Sequence, residues 1–357
     1  MKQVAVILVN YKDYAERFLA DCKDGLRKQK FSGKVKIYCI DNSSSSESLD
    51  YLKTNFPEAV IIPREDGNYC AALNAGIKAG MADGCEYFVS LNLDVSLDER
   101  WLQELVSTAE NFPECGIVQS KILLFPRNEA EKLDPKINTL GNVFHYLGFG
   151  FTSFYNQPSS RFTETESVQI KGYASGCSIL IKKEVFEKIG LFNEEFYMYH
   201  DDLEFCWRAK LAGFTILLAP QSLVYHKYEF SRSTKMVYFM ERNRYLTLFE
   251  YYDWKTIAVF LPMLAIMEFG QLFFALKNNW LDKRFEMYRY FLTGSTWTLI
   301  QKARIHLSKI RKIKDCDIIK DFESQIKFQE VANPLLDKVA NPIMAVYFHL
   351  AKKIIIW

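Results

Sequence analysis

The chain has 357 residues, 49% of them hydrophobic and 25% charged, with a formal net charge of +2. That length suits one large domain plus an appendage. The apolar content excludes a disordered chain, and the near-neutral balance gives no electrostatic case for nucleic acid. The eight cysteines are scattered with no Cys-x-x-Cys pair, which argues against a zinc ribbon and for reduced, buried thiols in a reducing cytoplasm. No secretory segment is visible: the apolar run Val4–Val9 is too short for one.

Val4–Val9 is a continuous β-favouring run, expected for a strand buried on both faces. Tyr14–Gln29 has helical spacing, with Phe18, Leu19, Cys22 and Leu26 on one face. Further strands are expected at Val35–Ile40, Ala59–Ile62, Tyr87–Leu91 and Gly116–Leu124, and helices at Ser48–Asn55, Cys70–Met81 and Trp101–Asn111. This alternation predicts an α/β layer on a mostly parallel sheet, flanked by helices. Ligands of such sheets collect at the carboxyl ends of the strands, where this chain carries Tyr11, Asp13, Asp41, Asn42, Ser43, Asn92 and Asp94. The pattern loosens from Pro126 to Glu166. It resumes with strands at Val168–Lys171 and Cys177–Ile181, a helix at Glu184–Ile189 and another at Leu203–Ala212 closed by Gly213. Strands at Thr215–Leu218 and Leu223–His226 follow, on either side of Pro220.

Asp201, Asp202 and Glu204 lie within four positions. Carboxylates this close repel when ionised, so at least one pKa should rise, which suits a general base or a cation site. The plainer alternative is the solvated first turn of a helix, where acids favour the N-terminal dipole. Phe192, Phe196, Tyr197, Met198 and Tyr199 make an apolar approach to the acids, a costly setting unless something uses the charge. Asp94 ends a strand, and Mg²⁺ or Mn²⁺ needs only one or two protein carboxylates when diphosphate oxygens fill other positions. His226 is available as a further ligand or a diphosphate partner. Taken singly, a strand-end aspartate is often a helix cap and a lone histidine a structural one.

After Ser233 the chain becomes helical and aromatic-rich. Ile257–Leu276 is long enough to span a bilayer, but Glu268 near its middle would be expensive there. A monotopic or re-entrant interfacial helix, or a buried helical hairpin, is expected instead. Arg284–Arg311 has the look of a basic amphipathic segment for an anionic membrane; the alternative is an ordinary helical subdomain. The expected division is a catalytic domain over 1–245 and a helical, membrane-associated region over 246–357, peripheral on the inner face of the cell membrane.

Over residues 3–245 the chain resembles family 2 glycosyltransferases of the GT-A fold, especially their rhamnosyltransferase-like branch. Asp41-Asn42-Ser43-Ser44 is similar to the family's Asp-Asn-x-Ser nucleotide motif. Gly67-Asn68-Tyr69-Cys70-Ala71-Ala72-Leu73-Asn74-Ala75-Gly76 is similar to its Gly-Phe-Ala-x-Ala-x-Asn-x-Gly segment. Asn92-Leu93-Asp94 stands where the family carries Asp-x-Asp or Asn-Pro-Asp, so the first acid is absent. Ser175-Gly176-Cys177 and Ile189–Glu194 resemble the acceptor-side segment. His200-Asp201-Asp202-Leu203-Glu204-Phe205-Cys206-Trp207-Arg208 resembles Glu-Asp-x-Asp-Leu-Cys-x-Arg, and Tyr225-His226-Lys227 the Val-x-His-Lys motif.

The resemblance implies inverting transfer of rhamnose or a hexose from dTDP-rhamnose or a UDP-hexose, with Mg²⁺ or Mn²⁺, to a glycan on a lipid carrier. It implies Asp202 as catalytic base and Asp94 with His226 as metal ligands. Val9, Tyr11, Asp13, Asp41, Asn42, Asn68, Asn74 and Asn92 fall on the donor side, with helix packing the plainer reading of Asn74. Gly176, Asp201 and Trp207 fall on the acceptor side, Trp207 either stacking on a sugar or facing the core. Arg208 would brace Asp201 or Glu204, while Lys227, Arg232 and Arg242 are available to phosphates of a lipid-linked acceptor, with a solvated surface the plainer reading of each taken singly. A nucleotidyltransferase remains as a rival, although the Val9–Lys12 turn lacks a basic, Gly-rich triphosphate loop. So does a non-catalytic sugar- or lipid-binding scaffold, given the departures at Asn92 and Glu204.

Overall fold

The first apolar run is β1 (Gln3–Asn10), and Val4 to Leu8 are closed off from solvent, as a strand covered by helices on both faces requires. In this computed structural model, which describes residues 2–228, 237–327 and 334–357, the order continues α1 (Tyr14–Arg27), β2 (Lys34–Asp41), α2 (Ser46–Asn55), β3 (Ala59–Pro63), α3 (Tyr69–Ala82), β4 (Tyr87–Leu91), β5 (Val95–Leu97), α4 (Trp101–Asn111) and β6 (Cys115–Leu124). The loosely patterned stretch holds only short pieces: α5 (Glu129–Leu133), β7 (Ile137–Thr139), β8 (Asn142–Phe144) and β9 (Gly150–Thr152). Then come β10 (Val168–Gln169), β11 (Ser178–Lys182), α6 (Lys183–Ile189), α7 (Asp201–Leu211) and β12 (Thr215–His226).

The main sheet runs β10-β12-β6-β11-β4-β1-β2-β3, with β5 on β12 and β7 on β6. β1 to β4 pair in parallel, as does β12 with β6. β11 is inserted antiparallel between β4 and β6, so the sheet is mostly parallel, as expected, with one reversed strand in its middle. Helix α3 lies close on β1 because of Gly76: a Cβ there would stand 2.6 Å from Ile7 Cγ2.

The two strands expected around Pro220 are one strand, β12. Its pairing with β6 breaks register between Ala219 and Leu223, and Pro220, which cannot donate to a ladder, sits in that bulge. The bulge re-aims the last third of β12 so that His226 pairs across to Val95 of β5. All eight cysteines are free thiols, seven of them buried.

The described residues cluster into two units. The first takes in 2–142, 152–209 and 214–228 and contains the sheet. The second takes in 143–151, 210–213 and the described residues from 237 onward. The domain boundary expected after 245 falls inside a helix, α8 (Val237–Tyr251), because the composition shift there marks no break in helical spacing.

The second unit adds α9 (Trp254–Lys277), α10 (Leu281–Phe291), α11 (Gly294–Ile310), α12 (Asp315–Ile318) and α13 (Asn341–Ile354). Its core stacks Tyr146 on Phe348 at 4.4 Å, with Phe260 and Tyr252 around them. Glu268 of α9 accepts hydrogen bonds from Arg284, Tyr245 and Tyr288. Burial opposes its charge, but these donors outweigh burial and hold the carboxyl below the usual range.

Candidate active site

Asp41 and Asn10 end neighbouring strands in register. Asp41 Oδ1 accepts from Asn10 Nδ2 at 2.8 Å, and Oδ2 accepts from the Ser48 hydroxyl at 2.5 Å. Asp41 and Asn42 are both buried, so neither gives a nucleoside an open face; they shape the floor of this strand-end region. Asn42 Oδ1 is a buried acceptor without a hydrogen-bond partner among the described residues. Val9 and Tyr11 are partly exposed beside them. Gly67 has φ +68°, donates its N–H to the Asn42 carbonyl at 3.1 Å, and a Cβ there would meet the Tyr197 hydroxyl at 2.6 Å and the Tyr11 ring at 3.5 Å. Only glycine meets both demands, and it leaves Tyr11 and Tyr197 facing across one backbone. Asp13 stays outside this group: its side chain is exposed, 3.9 Å from Arg17.

Two asparagines expected on the donor side are structural. Asn68 caps α3, accepting from the Ala71 amide, and donates to the Glu194 carbonyl. Asn74 is buried; it donates to the Phe192 carbonyl and the Glu194 carboxylate, and its Oδ1 accepts from the Phe192 amide. Their amides are committed to holding the Phe192–Tyr197 loop, because an α-helix N-terminus and a loop without ladder partners both need satisfying.

That loop carries the acids. Tyr197, Tyr199 and His200 all have φ near +60°, a costly conformation for bulky residues. The Tyr197 carbonyl accepts from the amides of Tyr69 and Cys70 at the start of α3. Helix α7 then begins at Asp201. The acids do form a first helical turn, but not a solvated one: Asp201 and Glu204 are buried. Asp202 is partly exposed; its Oδ2 accepts the Gly176 amide at 3.1 Å and its Oδ1 the Leu203 amide at 2.8 Å. Burial pushes Asp201 up to about 8, with Asp202 adding to the effect. Burial also lifts Asp202, to about 6, against the pull of the Gly176 and Leu203 amides. Both carboxyls are pushed upward, so the two titrate as a pair in which a shared proton is favoured over two charges.

Asp94 and His226 meet in a buried pair, Oδ1 to Nε2 at 3.3 Å. His226 Nδ1 is 2.9 Å from Asn138 Oδ1, which fixes the ring with Nε2 toward Asp94. Burial pulls the imidazole down, but Cys177 and Asp94 together raise it above its ordinary value in the metal-free pair; a metal ion would take the place of the Nε2 proton. The pair fits a shared divalent ion. Two octahedral ligands at about 2.1 Å from one metal stand roughly 3 Å apart, and a ring nitrogen anchored by an amide oxygen is the outer support such ligands use. No set of three His, Cys, Asp or Glu suited to a metal occurs among the described residues, so other donors would have to come from a ligand.

One short segment links Asp202 and the pair. Asn92 donates its backbone N–H to the Cys177 carbonyl at 3.0 Å, Cys177 lies against His226, and the preceding Gly176 holds Asp202. Residues 5–190, just over half of the chain, match the profile of Glycosyl transferase family 2. The chain belongs to that family.

This family 2 member is 26% identical over 254 residues to the low-salt glycan biosynthesis hexosyltransferase Agl10 of Haloferax volcanii, covering 69% of this chain and 75% of that one. It is 27% identical over 256 residues to the O-antigen biosynthesis protein RfbC of Myxococcus xanthus, covering 70% of this chain but only 19% of that one. Its fold is that of a GT-A structure, GalNAc-T7 crystallised with UDP, GalNAc and Mn²⁺, at a TM-score of 0.52 and 15% identity over 71% of this chain and 49% of that chain. The protein is therefore a glycosyltransferase with a GT-A fold.

Several expected site residues of this glycosyltransferase sit elsewhere. Trp207 is wholly buried and faces the core, not a sugar, because it shares a helix face with Glu204, Arg208 and Leu211. Arg208 braces Glu204 rather than Asp201, with contacts of 2.7 and 3.1 Å. Lys227 pairs with Asp21, and Arg242 is buried against Asn243 and the Tyr290 ring, so neither is a free phosphate hook. Arg232 lies outside the described residues. Asn10 and Asn138 were not singled out as site residues from the sequence, and Cys177 appeared only within the acceptor-side segment Ser175-Gly176-Cys177; Asn10, at the end of β1 beside Tyr11, was within reach of strand-end reasoning.

Proposed function

We propose that this glycosyltransferase is inverting and metal-dependent, and moves rhamnose or a hexose from a nucleotide diphosphate sugar to a growing, lipid-linked surface glycan. The observation that carries the proposal is the segment Gly176–Cys177, which ties the partly exposed Asp202 to the Asp94–His226 pair beside the end of β4, in the middle of the sheet. In a direct displacement an acceptor hydroxyl oxygen bonds the anomeric carbon as the bond to diphosphate breaks, and configuration inverts. Asp202 takes the hydroxyl proton on a carboxylate oxygen. Gly176 N–H keeps that carboxylate aimed, and burial of Asp201 behind it disfavours a second negative charge there. A divalent cation, Mg²⁺ or Mn²⁺, on Asp94 and His226 would supply positive charge to the departing diphosphate. Tyr11 and Tyr197 offer aromatic faces to the base.

Agl10's name as a hexosyltransferase and the UDP in the GalNAc-T7 crystal support a UDP-hexose donor; the dTDP-rhamnose alternative rests on the sequence resemblance alone. Free thiols throughout favour the cytoplasmic side of the membrane. The test is calorimetry with UDP and dTDP, with and without Mn²⁺, alongside a transfer assay. Asp202→Asn is expected to bind nucleotide as before and lose transfer, whereas Asp94→Asn loses the metal's effect on nucleotide affinity. Full transfer by Asp202→Asn would remove it as base, and release of pyrophosphate in place of a nucleoside diphosphate would assign a nucleotidyltransferase.

A further inference from the structure

Helix α9 is built inside out. From Ala258 to Leu276 its outer face carries no charge, and Leu261, Ile266, Phe269, Phe273 and Leu276 each expose more than half of their surface. That stripe is about 27 Å long at 1.5 Å per residue. Its polar groups point inward: Gln271 Oε1 accepts from Arg244 and Arg284 at 3.0 and 2.9 Å, and Glu268 is held by Arg284. Helix α13 lies alongside, joined through the Tyr347 hydroxyl to the Val259 carbonyl, Phe348 beside Phe260, and Trp357 Nε1 to Thr256 Oγ1 at 2.9 Å. It exposes Ile343, Val346 and Leu350 in turn. Exposed apolar surface of this extent marks an interaction site.

The charges around the stripe select its occupant. Lys255, Lys352 and Lys353 cluster at one end of the helix pair and Lys277 stands at the other, all exposed. Glu268 is the only acid in either helix, and it is neutralised from behind. An apolar face with a basic rim matches an anionic lipid surface. Helix α10, packed on α9, exposes the ion pair Lys283–Glu286. Turning α9 across the bilayer would draw that pair into hydrocarbon, which is expensive. We propose that α9 and α13 form a single docking face that lies in the plane of an anionic membrane, with Phe269 and Phe273 inserted into the acyl region. This deepens the reading of a lipid-linked acceptor and rests on it for its purpose.

The experiment is vesicle flotation of the full chain on phosphatidylglycerol-containing and pure phosphatidylcholine vesicles. Binding is expected on the anionic vesicles, weaker on the neutral ones, with alkaline carbonate releasing the protein. Phe269→Glu with Phe273→Glu should weaken vesicle binding about tenfold or more while calorimetric binding of UDP or dTDP stays unchanged. Lys352→Gln with Lys353→Gln should erase the preference for anionic lipid. In the unmodified protein, brominated lipids should quench tryptophan fluorescence through Trp254, exposed on α9; absence of quenching overturns the proposal. So does equal binding by the Phe269/Phe273 variant, resistance to carbonate, which means a span, or a dimer that those substitutions dissolve, which assigns the face to a second copy. Vesicle binding without glycosyl transfer would leave the face standing and sink the acceptor reading; transfer to a lipid-linked acceptor without vesicle binding would do the reverse.

Discussion

Glu204 occupies a position where the family pattern carries an aspartate, yet its surroundings make it a structural partner, and Glu204→Ala tests that. Its side chain and that of Arg208 expose only 1% and 8% of their surface. Two charge-assisted hydrogen bonds join them, and Arg208 passes two more to the Ile189 and Leu191 carbonyls at 2.6 and 2.9 Å. Removing the carboxylate strands a buried guanidinium, which costs roughly 3–5 kcal/mol, or about 6–20 °C in the melting temperature of a unit this size. Replacing both residues by methionine should recover most of that loss, since a buried pair is often no more stable than an apolar filling of similar volume. Differential scanning calorimetry of the two single variants and the double variant gives the coupling energy. A Glu204→Ala protein that melts like the parent but turns over at least tenfold more slowly would place Glu204 in the chemistry and refute the bracing role.

The pH profile follows from Asp202: a base must be ionised, its pKa is raised to about 6, so kcat/KM is expected to be full above that value and to fall as pH drops through it. A profile flat to pH 4.5 would exclude Asp202 as base. Trp207→Ala should destabilise by about 3–5 kcal/mol in denaturant unfolding while leaving the acceptor KM unchanged; a raised KM with intact stability would restore the stacking role. Asn74→Ala leaves the Phe192 amide and carbonyl unpaired and should cost about 1–3 kcal/mol with no change in nucleotide affinity, whereas weaker nucleotide binding at unchanged stability would return Asn74 to the donor side.

The parallel half of the sheet was legible because Val4–Val9 and Tyr87–Leu91 are short apolar runs bounded by turns and separated by helical spacing. The reversed β11 was not, since Ser178–Lys182 reads as a buried strand in either direction and only pairing decides. The strand-end principle found Asp94 and His226 but missed Asn138, which comes from a stretch without periodicity and reaches His226 only through β7 on β6. Trp207 and Glu204 were readable after all: positions 204, 207, 208 and 211 share one helical face, and a face containing Trp and Leu is a core face. Asn68 was assigned by motif, and although a packing role was the plainer reading of Asn74, the loop that both hold has no signal of its own in the sequence.

The Phe192–Tyr197 loop fastens the start of α3 through Asn68, Asn74 and the Tyr197 carbonyl, and it leads through Tyr199 and His200, both at positive φ, into α7, whose second residue is Asp202. The Gly67–Gly76 and Phe192–Asp202 segments are therefore a matched set. Chimeras that exchange Gly67–Gly76 alone with a relative should misplace the acid helix and lose turnover, and exchange of Phe192–Asp202 alone should do the same. Swapping both together should recover activity, so drift in one segment is admissible only alongside compensating drift in the other.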